Sequence, residues 1–280
     1  MKNLEIVTAA IRYIEANLMS EKLDLDIVAD AVHYSKYHLH HIFTDTVGLT
    51  IHDYTQRRQL TEAAKLLIFS DKPIIEIAVI AGYDSQQAFS NVFKAMYKLS
   101  PHQFRQNKVF YPLQLEYNFK EHHKTPGAVQ RDSAREIHFV SEGDIPLWMD
   151  LVRLSIDGVP HLEEEKHLSV LKRYIANNSA LLMTQGNIPV GGMMINRDTG
   201  SIDFLSVHPL YRRKGISRDF LNAVLIELLE NKTISITTFR EGDKADTGYR
   251  KALLGLGFAE AELLTEFGYP TQRMVLPIIC

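Results

Sequence analysis

The sequence predicts two domains: an all-α double helix-turn-helix, followed by a domain of the α/β (α+β) class. Three observations carry this. A pattern occurs twice in the first hundred residues. Val28-Ala29 leads to Tyr34-Ser35, Leu39 and Phe43, and Ile77-Ala78 leads to Tyr83-Asp84-Ser85, Phe89 and Phe93. Before residue 109 the apolar residues keep helical spacing almost throughout. Beyond residue 131, short apolar runs alternate with amphipathic helical stretches. The boundaries read as 1–108, a linker over 109–131 and a second domain over 132–280. Pro112, His122-His123 and Thr125-Pro126-Gly127 break any period in the linker.

Composition bounds the class without naming a chemistry. The 280 residues are 45% hydrophobic and 23% charged, as in an ordinary globular protein. The net charge of −3 does not advertise nucleic acid, and residues 1–108 hold twelve Lys/Arg against twelve Asp/Glu. Any nucleic-acid reading therefore rests on pattern rather than charge. No apolar run is long enough to span a bilayer, and MKNLEIVTAA lacks a signal-peptide core. The single cysteine, Cys280, allows no intrachain disulfide. The expectation is a cytoplasmic chain with no membrane partner.

Seven helices are expected in the first part. The first covers about Leu4 to Leu18. Asp24 caps the second, with Ile27 and Val28 starting its buried face. Ser35 caps a third that runs to about Thr46 and ends at Gly48. Thr50 caps a long helix through Phe69, with Leu60, Ala64 and Leu67 on one face. Pro73 opens the second unit, Gly82 makes its turn, and Ser85 caps its second helix. Ser100-Pro101 starts a closing helix through Gln106. About twenty residues of helix span ~30 Å, close to the ~34 Å between successive major-groove faces. One chain could thus present two reading helices without a dimer. With Leu39, Ile42 and Phe43 inward, Lys36, Tyr37, His40, His41 and Thr44 face outward. With Phe89, Val92 and Phe93 inward, Ser85, Gln86, Gln87, Ser90, Asn91 and Lys94 are left to the surface. Gln pairs in bidentate fashion with adenine, and Lys reaches guanine or phosphate. The histidines His33, His38, His40, His41 and His52 are not spaced as a ligand set, and no metal is expected.

Tyr34 to Phe43, and Ile75 to Ala78, Gly82-Tyr83, Ser85-Gln86-Gln87, Phe89, Phe93-Lys94 and Ser100-Pro101…Phe104-Arg105, resemble the two units of AraC/XylS-type transcription regulators, close to the MarA/SoxS/Rob kind. The resemblance implies duplex DNA as partner, with RNA polymerase as a further one. It places base-reading residues at Tyr37, His40, His41, Gln86, Gln87 and Asn91. Where the family often has Arg, this chain has His41 and Asn91, and His33 stands for a turn glycine.

The second part reads β-α-α-β-β-β-α-β-α-β-β. A strand at Ile137–Val140 is followed by helices over Ile145–Leu154 and Glu163–Asn177, the latter with Leu168, Leu171 and Ile175 on one face. Ala180–Thr184 and Ile188–Asn196 form a hairpin about Gly186-Asn187. Ser201–Val207 is a strand, then comes a basic turn, then a helix with Phe220, Leu221, Val224, Leu225, Leu228 and Leu229 inward. Ile234–Phe239 is a strand and Asp246–Gly255 a helix. The last strands start or lie at Phe258 and Met274–Leu276.

A strand, a turn holding Arg212, Arg213, Lys214 and Gly215, and a helix starting at Ile216-Ser217 make an anion site. Backbone N–H groups and the helix dipole favour a diphosphate there. Val207-His208-Pro209-x-Tyr211-Arg212-x-x-Gly215-x-Ser217 resembles the coenzyme A signature of GNAT-type N-acetyltransferases. Thr238 to Asp243, Leu256-Gly257-Phe258 and Glu266 to Pro270 look familial too. The resemblance implies acetyl-CoA held by backbone amides at 212–217. It also implies strands splayed near Leu205–Val207 and Ile236–Thr238, with a backbone N–H of 205–207 polarising the acyl carbonyl. Ser217 departs from the family's Gly/Ala. Leu253 stands where many members carry a Tyr that protonates the thiolate. Tyr249 and Glu241, with Asp203 and His208, are the remaining catalytic candidates.

Three functions are compatible with this reading. The chain is a sequence-specific transcription regulator whose GNAT-like domain senses an acyl-CoA or a small amine. Alternatively it is an active N-acetyltransferase of a small amine or protein, with an autoregulatory DNA-binding domain. In the third reading the second domain is an interaction module that has lost its coenzyme.

Overall fold

The computed structural model describes residues 2–19, 23–119, 134–155, 164–227 and 233–277. They divide into two units, the first gathering the chain up to Phe119. The expectations for residues 120–133, for Leu228 and Leu229, and for Cys280 lie outside the described residues.

The first unit is helical, and local signals set nearly every end. Helix α1 (Lys2–Asn17) buries Val7, Ala10, Ile11 and Ile14. Asp24 caps α2 (Leu25–Ala31) by accepting from the Ile27 N–H at 2.9 Å. Ser35 caps α3 (Lys36–Val47), which ends at left-handed Gly48, φ +80°. Thr50 caps α4 (Ile51–Phe69), and α5 (Ile74–Ile80) follows Pro73. Ser85 caps α6 (Gln86–Tyr97), and a reciprocal Ser100–Gln103 capping box starts α7 (Pro101–Asn107).

The two turns share a backbone hydrogen bond up to Tyr34 and Tyr83, and Asp84 then adds one residue before the second cap. Tyr34 N–H donates to Ala29 C=O at 3.0 Å, and Tyr83 N–H to Ala78 C=O at 2.9 Å. His33 adopts φ +60° where Gly82 adopts +80°. The histidine thus carries the left-handed strain that a glycine avoids, of order 1–2 kcal/mol. From the caps onward the repeat keeps an offset of fifty: Ser35 with Ser85, Leu39 with Phe89, Phe43 with Phe93, Thr50 with Ser100, Tyr54 with Phe104. Left-handed Gly48 matches left-handed Lys98.

Residues 109–119, the aromatic part of the expected partly ordered linker, pack on this unit. Tyr111, Leu113, Gln114, Tyr117 and Phe119 are buried. The reason is polar as well as apolar. Thr61 Oγ1 accepts from the N–H groups of Leu113 and Gln114 at 3.1 and 3.2 Å. Arg57 and Arg58 donate to the carbonyls of Leu113 and Gln114 at 2.9 and 3.0 Å. Arg58 also holds Glu15 through two bonds of 2.8 Å. A segment without period of its own is thereby given partners for its backbone.

The second unit is a seven-stranded sheet flanked by helices. Its elements are β1 (Arg135–Phe139), α8 (Ile145–Ser155), α9 (Glu164–Ala176), β2 (Ala180–Gln185), β3 (Ile188–Ile195), β4 (Ser201–Val207), α10 (Ile216–Glu227), β5 (Ile234–Phe239), α11 (Tyr249–Gly255), β6 (Ala259–Glu266) and β7 (Tyr269–Leu276). Strand order is β1-β2-β3-β4-β5-β7-β6, and β4 with β5 is the parallel pair. The expected element order holds throughout. Helix α11 starts three residues later than expected, after Gly248 at φ +108°.

Two neighbouring glycines position the helices. Residues 191 and 192 point to opposite faces of β3. A Cβ on Gly191 would lie 2.6 Å from Ile216 Cγ2 and 2.7 Å from Phe220 Cε2, so α10 sits directly on the strand there. A Cβ on Gly192 would lie 3.0 Å from the Trp148 ring of α8 on the other face. His167 of α9 joins that side, accepting from the Trp148 indole N–H at 2.9 Å. Phe220, Leu221 and Val224 are buried as expected, whereas Leu225 is exposed.

Candidate functional site

The outer faces of α3 and α6 hold the residues singled out for nucleic acid. Tyr37 is 74% exposed, and Lys36, His41, Gln86, Gln87, Asn91 and Lys94 are also exposed. His40 and Ser90 are half-buried. Ser85 is exposed, but its hydroxyl is committed to the Ala88 N–H at 3.1 Å. Thr44 differs from expectation: its Oγ1 is covered and has no hydrogen-bond partner among the described residues. Val92, expected inward, is half-buried. The core beneath is aromatic, with Phe89, Phe93, Tyr97 and Phe104 in mutual ring contact. It fixes the α6 backbone that carries the polar face.

The two faces pair the same positions. Two and six residues after each capping serine stand Tyr37 and His41 on α3, and Gln87 and Asn91 on α6. The first pair makes an edge contact at 4.5 Å between ring centres. In the second, Gln87 Nε2 donates to Asn91 Oδ1 at 3.1 Å. Such i,i+4 partners restrict each other's rotamers. Each helix therefore presents a partly ordered polar pair at the same depth.

The basic turn of the second unit is built by a short chain of caps. His208 Nδ1 accepts from the Leu210 N–H at 3.1 Å and starts a 3₁₀ turn over Pro209–Tyr211. Arg213 and Gly215 then adopt φ +62° and +83°. This brings the N–H groups of Arg213, Gly215, Ile216 and Ser217 to the start of α10, where none has an acceptor among the described residues. A Cβ on Gly215 would meet nothing within 4 Å, so the space in front of the turn is open. Arg212, Arg213 and Lys214 precede Gly215 in the turn, with Lys214 Nζ 4.5 Å above the Tyr211 ring. Partial desolvation, with Arg135 nearby, holds the Lys214 ammonium below the usual lysine range. Free N–H groups at a helix start, a positive dipole end and clustered cations fit a diphosphate.

Beside the turn, β4 and β5 part. They pair at Ser201–Ser235 and Ile202–Ile236 only, although β4 continues to Val207 and β5 to Phe239. The cause lies in the β3–β4 register, which steps from Ile195–Ile202 to Met194–Phe204 and leaves Asp203 as an extra residue. A bulge of this kind bends its strand. Leu205 and Val207 follow it along the inner wall of the wedge. Beyond Ile202–Ile236 the facing edges of β4 and β5 make no ladder bonds to each other, although each strand stays paired on its other side.

The catalytic candidates fare unequally. Leu253 belongs to the buried core with Phe258 and Met274, so the position of the family's acid is filled by packing. Tyr249 is half-buried one turn earlier, and Glu241 is exposed before Gly242. His208 is 1% exposed and acts as the cap just described. Asp203 sits on the bulge and accepts from the Tyr174 hydroxyl and from Ser201 Oγ, the latter at 2.7 Å. Burial and this carboxylate push the Tyr174 hydroxyl well above the usual phenol range. No group of three His, Cys, Asp or Glu among the described residues converges as a metal set would. No described helix is long and apolar enough to cross a membrane.

Two site residues escape a reading of the sequence. Arg135 Nη1 donates to the Lys214 carbonyl at 2.7 Å and lies 3.3 Å from Asp219, bracing the basic turn from β1. Gly191 sets the seat of α10. Both act across about eighty and twenty-five residues of chain, and no local signal marks either.

These units define a DNA-binding regulator joined to a domain of the acyltransferase fold. Comparison with known proteins agrees. Residues 28–107 match the model of a helix-turn-helix domain, and residues 155–274 that of an acetyltransferase (GNAT) domain. The probable transcription factor PqrA of Proteus vulgaris is 37% identical over 103 residues, 36% of this chain and 84% of its own. The regulatory protein SoxS of Escherichia coli is 34% identical over 105 residues, 38% of this chain and 97% of its own. A GNAT-family acetyltransferase from Bacillus cereus covers 51% of this chain and 96% of its own, at 14% identity and a TM-score of 0.41. The chain belongs to the AraC-type helix-turn-helix transcription regulators of the MarA/SoxS-like kind, and it carries a GNAT domain in its second part.

Proposed function

We propose that the chain reads a specific duplex through α3 and α6 and that its GNAT unit binds acetyl-CoA as a sensor. The reading residues are Lys36, Tyr37, His40, His41, Gln86, Gln87, Asn91 and Lys94. Thr44 and Ser85 contribute through their place on the helices rather than through free hydroxyls. RNA polymerase is the further partner this role implies, and the cytoplasm is where such a chain would meet both. The supporting observation is the matched pair of exposed polar faces on α3 and α6. Selection of duplexes from a random pool by the full chain tests this. Binding of selected and random duplexes with equal affinity would overturn it.

For the second unit, Arg212, Arg213, Lys214, Gly215, Ile216 and Ser217 hold the diphosphate, while Leu205 and Val207 line the wedge. Bound there, acetyl-CoA would supply an acyl thioester. The observation that favours sensing over turnover is Leu253, which is buried in the core and has no proton to give. The open wedge with Asp203 at its bulge supports the second reading, acetyl transfer to a small amine, with Tyr249 and Glu241 as further proton-carrying groups. Calorimetry with acetyl-CoA, followed by CoA release over a panel of amines, separates the two. Binding without release supports sensing, and brisk release supports the enzyme.

A further inference from the structure

We propose that protonation of His40 and His41 governs the grip of α3 on DNA, so that this reading helix binds more tightly as pH falls. The inference rests on the assignment of α3 as a DNA-facing helix and concerns how that face holds a polyanion. Its surface holds Lys36, Tyr37, His38, His40 and His41. The one fixed cation, Lys36, lies 3.1 Å from Asp26 of α2, which offsets part of its charge. Asp45 lies on the same helix. On α6, by contrast, Lys94 is exposed with no carboxylate partner among the described residues. Beyond Lys36, any further positive charge on α3 must come from its imidazoles.

Those imidazoles are available. The rings of His38, His40 and His41 make no hydrogen bond within the described protein, and their contacts are with aromatic rings. His40 and His41 meet at 6.0 Å, and His41 meets Tyr37 at 4.5 Å. Among the described side chains, the charged and titratable groups on the elements packed against α3 are Glu5, Arg12, Tyr13 and Glu15 of α1, Asp26 and Asp30 of α2, and His52, Asp53, Tyr54, Arg57, Arg58, Glu62 and Lys65 of α4. Glu15 is held by Arg58 and Tyr54, Asp26 by Lys36, and Asp53 by Thr50. Histidine is the side chain that titrates near neutral pH. Phosphates close to an imidazole favour its charged form. The charged ring also donates from both nitrogens, which suits guanine edges and phosphate oxygens alike. DNA binding should therefore take up protons.

The sign follows from linkage. A proton held more firmly in the complex tightens binding below histidine's free titration range, and the gain is lost as pH rises through the range in the complex. A histidine whose proton affinity rises one unit on binding contributes up to about tenfold in affinity.

The test uses the full chain and a duplex that it selects from a random pool, with a random duplex of equal length beside it. Dissociation constants are measured at constant salt between about pH 6 and about pH 8, the window in which histidine changes charge. The readout is the ratio of the two constants for each protein, whatever its absolute affinity. Wild type should bind about tenfold or more tightly at the lower pH, and the His40→Gln/His41→Gln double variant should keep less than about a third of that ratio. Proton uptake, read by calorimetry in two buffers of different ionisation heat, should fall in parallel. A flat wild-type profile, or a double variant with the wild-type ratio, overturns the proposal while preference for the selected duplex leaves the α3 assignment standing. Loss of that preference at every pH removes the assignment and this proposal with it.

Discussion

Substituting Gly191 by alanine tests how the second unit positions its anion site. The new methyl carbon would sit 2.6 Å from Ile216 Cγ2 and 2.7 Å from Phe220 Cε2, both in buried side chains. Carbon atoms in contact rest at about 3.5–4.0 Å, so α10 must move by roughly 1 Å or tilt. Overpacking of this sort costs about 1–3 kcal/mol, small enough to leave a unit of ordinary stability folded. The displaced residue, Ile216, is the first of α10, so the movement falls on the N–H groups that would face the diphosphate. Trp148 is the only tryptophan and lies in this unit, so its emission follows the unfolding of the second unit alone. Denaturant titration should show the loss in stability. Calorimetry should show acetyl-CoA affinity falling by about tenfold, equivalent to ~1.4 kcal/mol. If Gly191→Ala matches wild type in both, α10 does not sit on β3 as described and the reasoning fails.

Other outcomes follow from the same geometry. Gly215→Glu should abolish acetyl-CoA binding with a modest loss of stability, because its side chain enters open space with the wrong charge at φ +83°; retained affinity in calorimetry would contradict the site. Thr61→Val leaves the Leu113 and Gln114 N–H groups unpaired. It should destabilise the first unit by about 1–3 kcal/mol and open 109–119 to proteases, which limited digestion would reveal. Burial holds the His167 imidazole below its ordinary range, against the opposing pull of Glu164. Since the unfolded chain then takes the proton first, stability of the second unit should fall as pH drops below about 6.5. Above that pH His167 contributes no slope, and His167→Gln should flatten the fall in denaturant midpoints. Leu253→Tyr adds volume to a filled core and should cost about 1–3 kcal/mol, measured by the same Trp148 emission, instead of restoring an acid.

What the sequence discloses and what it withholds divide by range. The caps Asp24, Ser35, Thr50, Ser85 and Ser100 and the stop at Gly48 act within three or four residues, so each was legible and each helix end falls where expected. The alternation of strands and helices in the second part was legible for the same reason. The bulge at Asp203 was not, because it is defined by the register of another strand. The aromatics of 110–119 could be read as able to pack, but their polar partners Arg57, Arg58 and Thr61, far away in the chain, could not. At the sites, helical periodicity placed Tyr37, Gln86 and Gln87 on the surface but missed that Thr44 Oγ1 is covered. The basic turn could be read from its residues, whereas its brace, Arg135, could not.

The central claim is that one chain carries two equivalent DNA-reading helices. It is tested most directly by footprinting the full chain, as a monomer, on a duplex it selects. Protection should cover two successive major grooves on one face, ~34 Å apart. Tyr37→Ala should weaken preference in one groove and Gln86→Ala or Gln87→Ala in the other, each by about 1–3 kcal/mol. Protection of a two-fold symmetric site by dimers alone, or loss of preference in the same groove from both helices, would contradict the account.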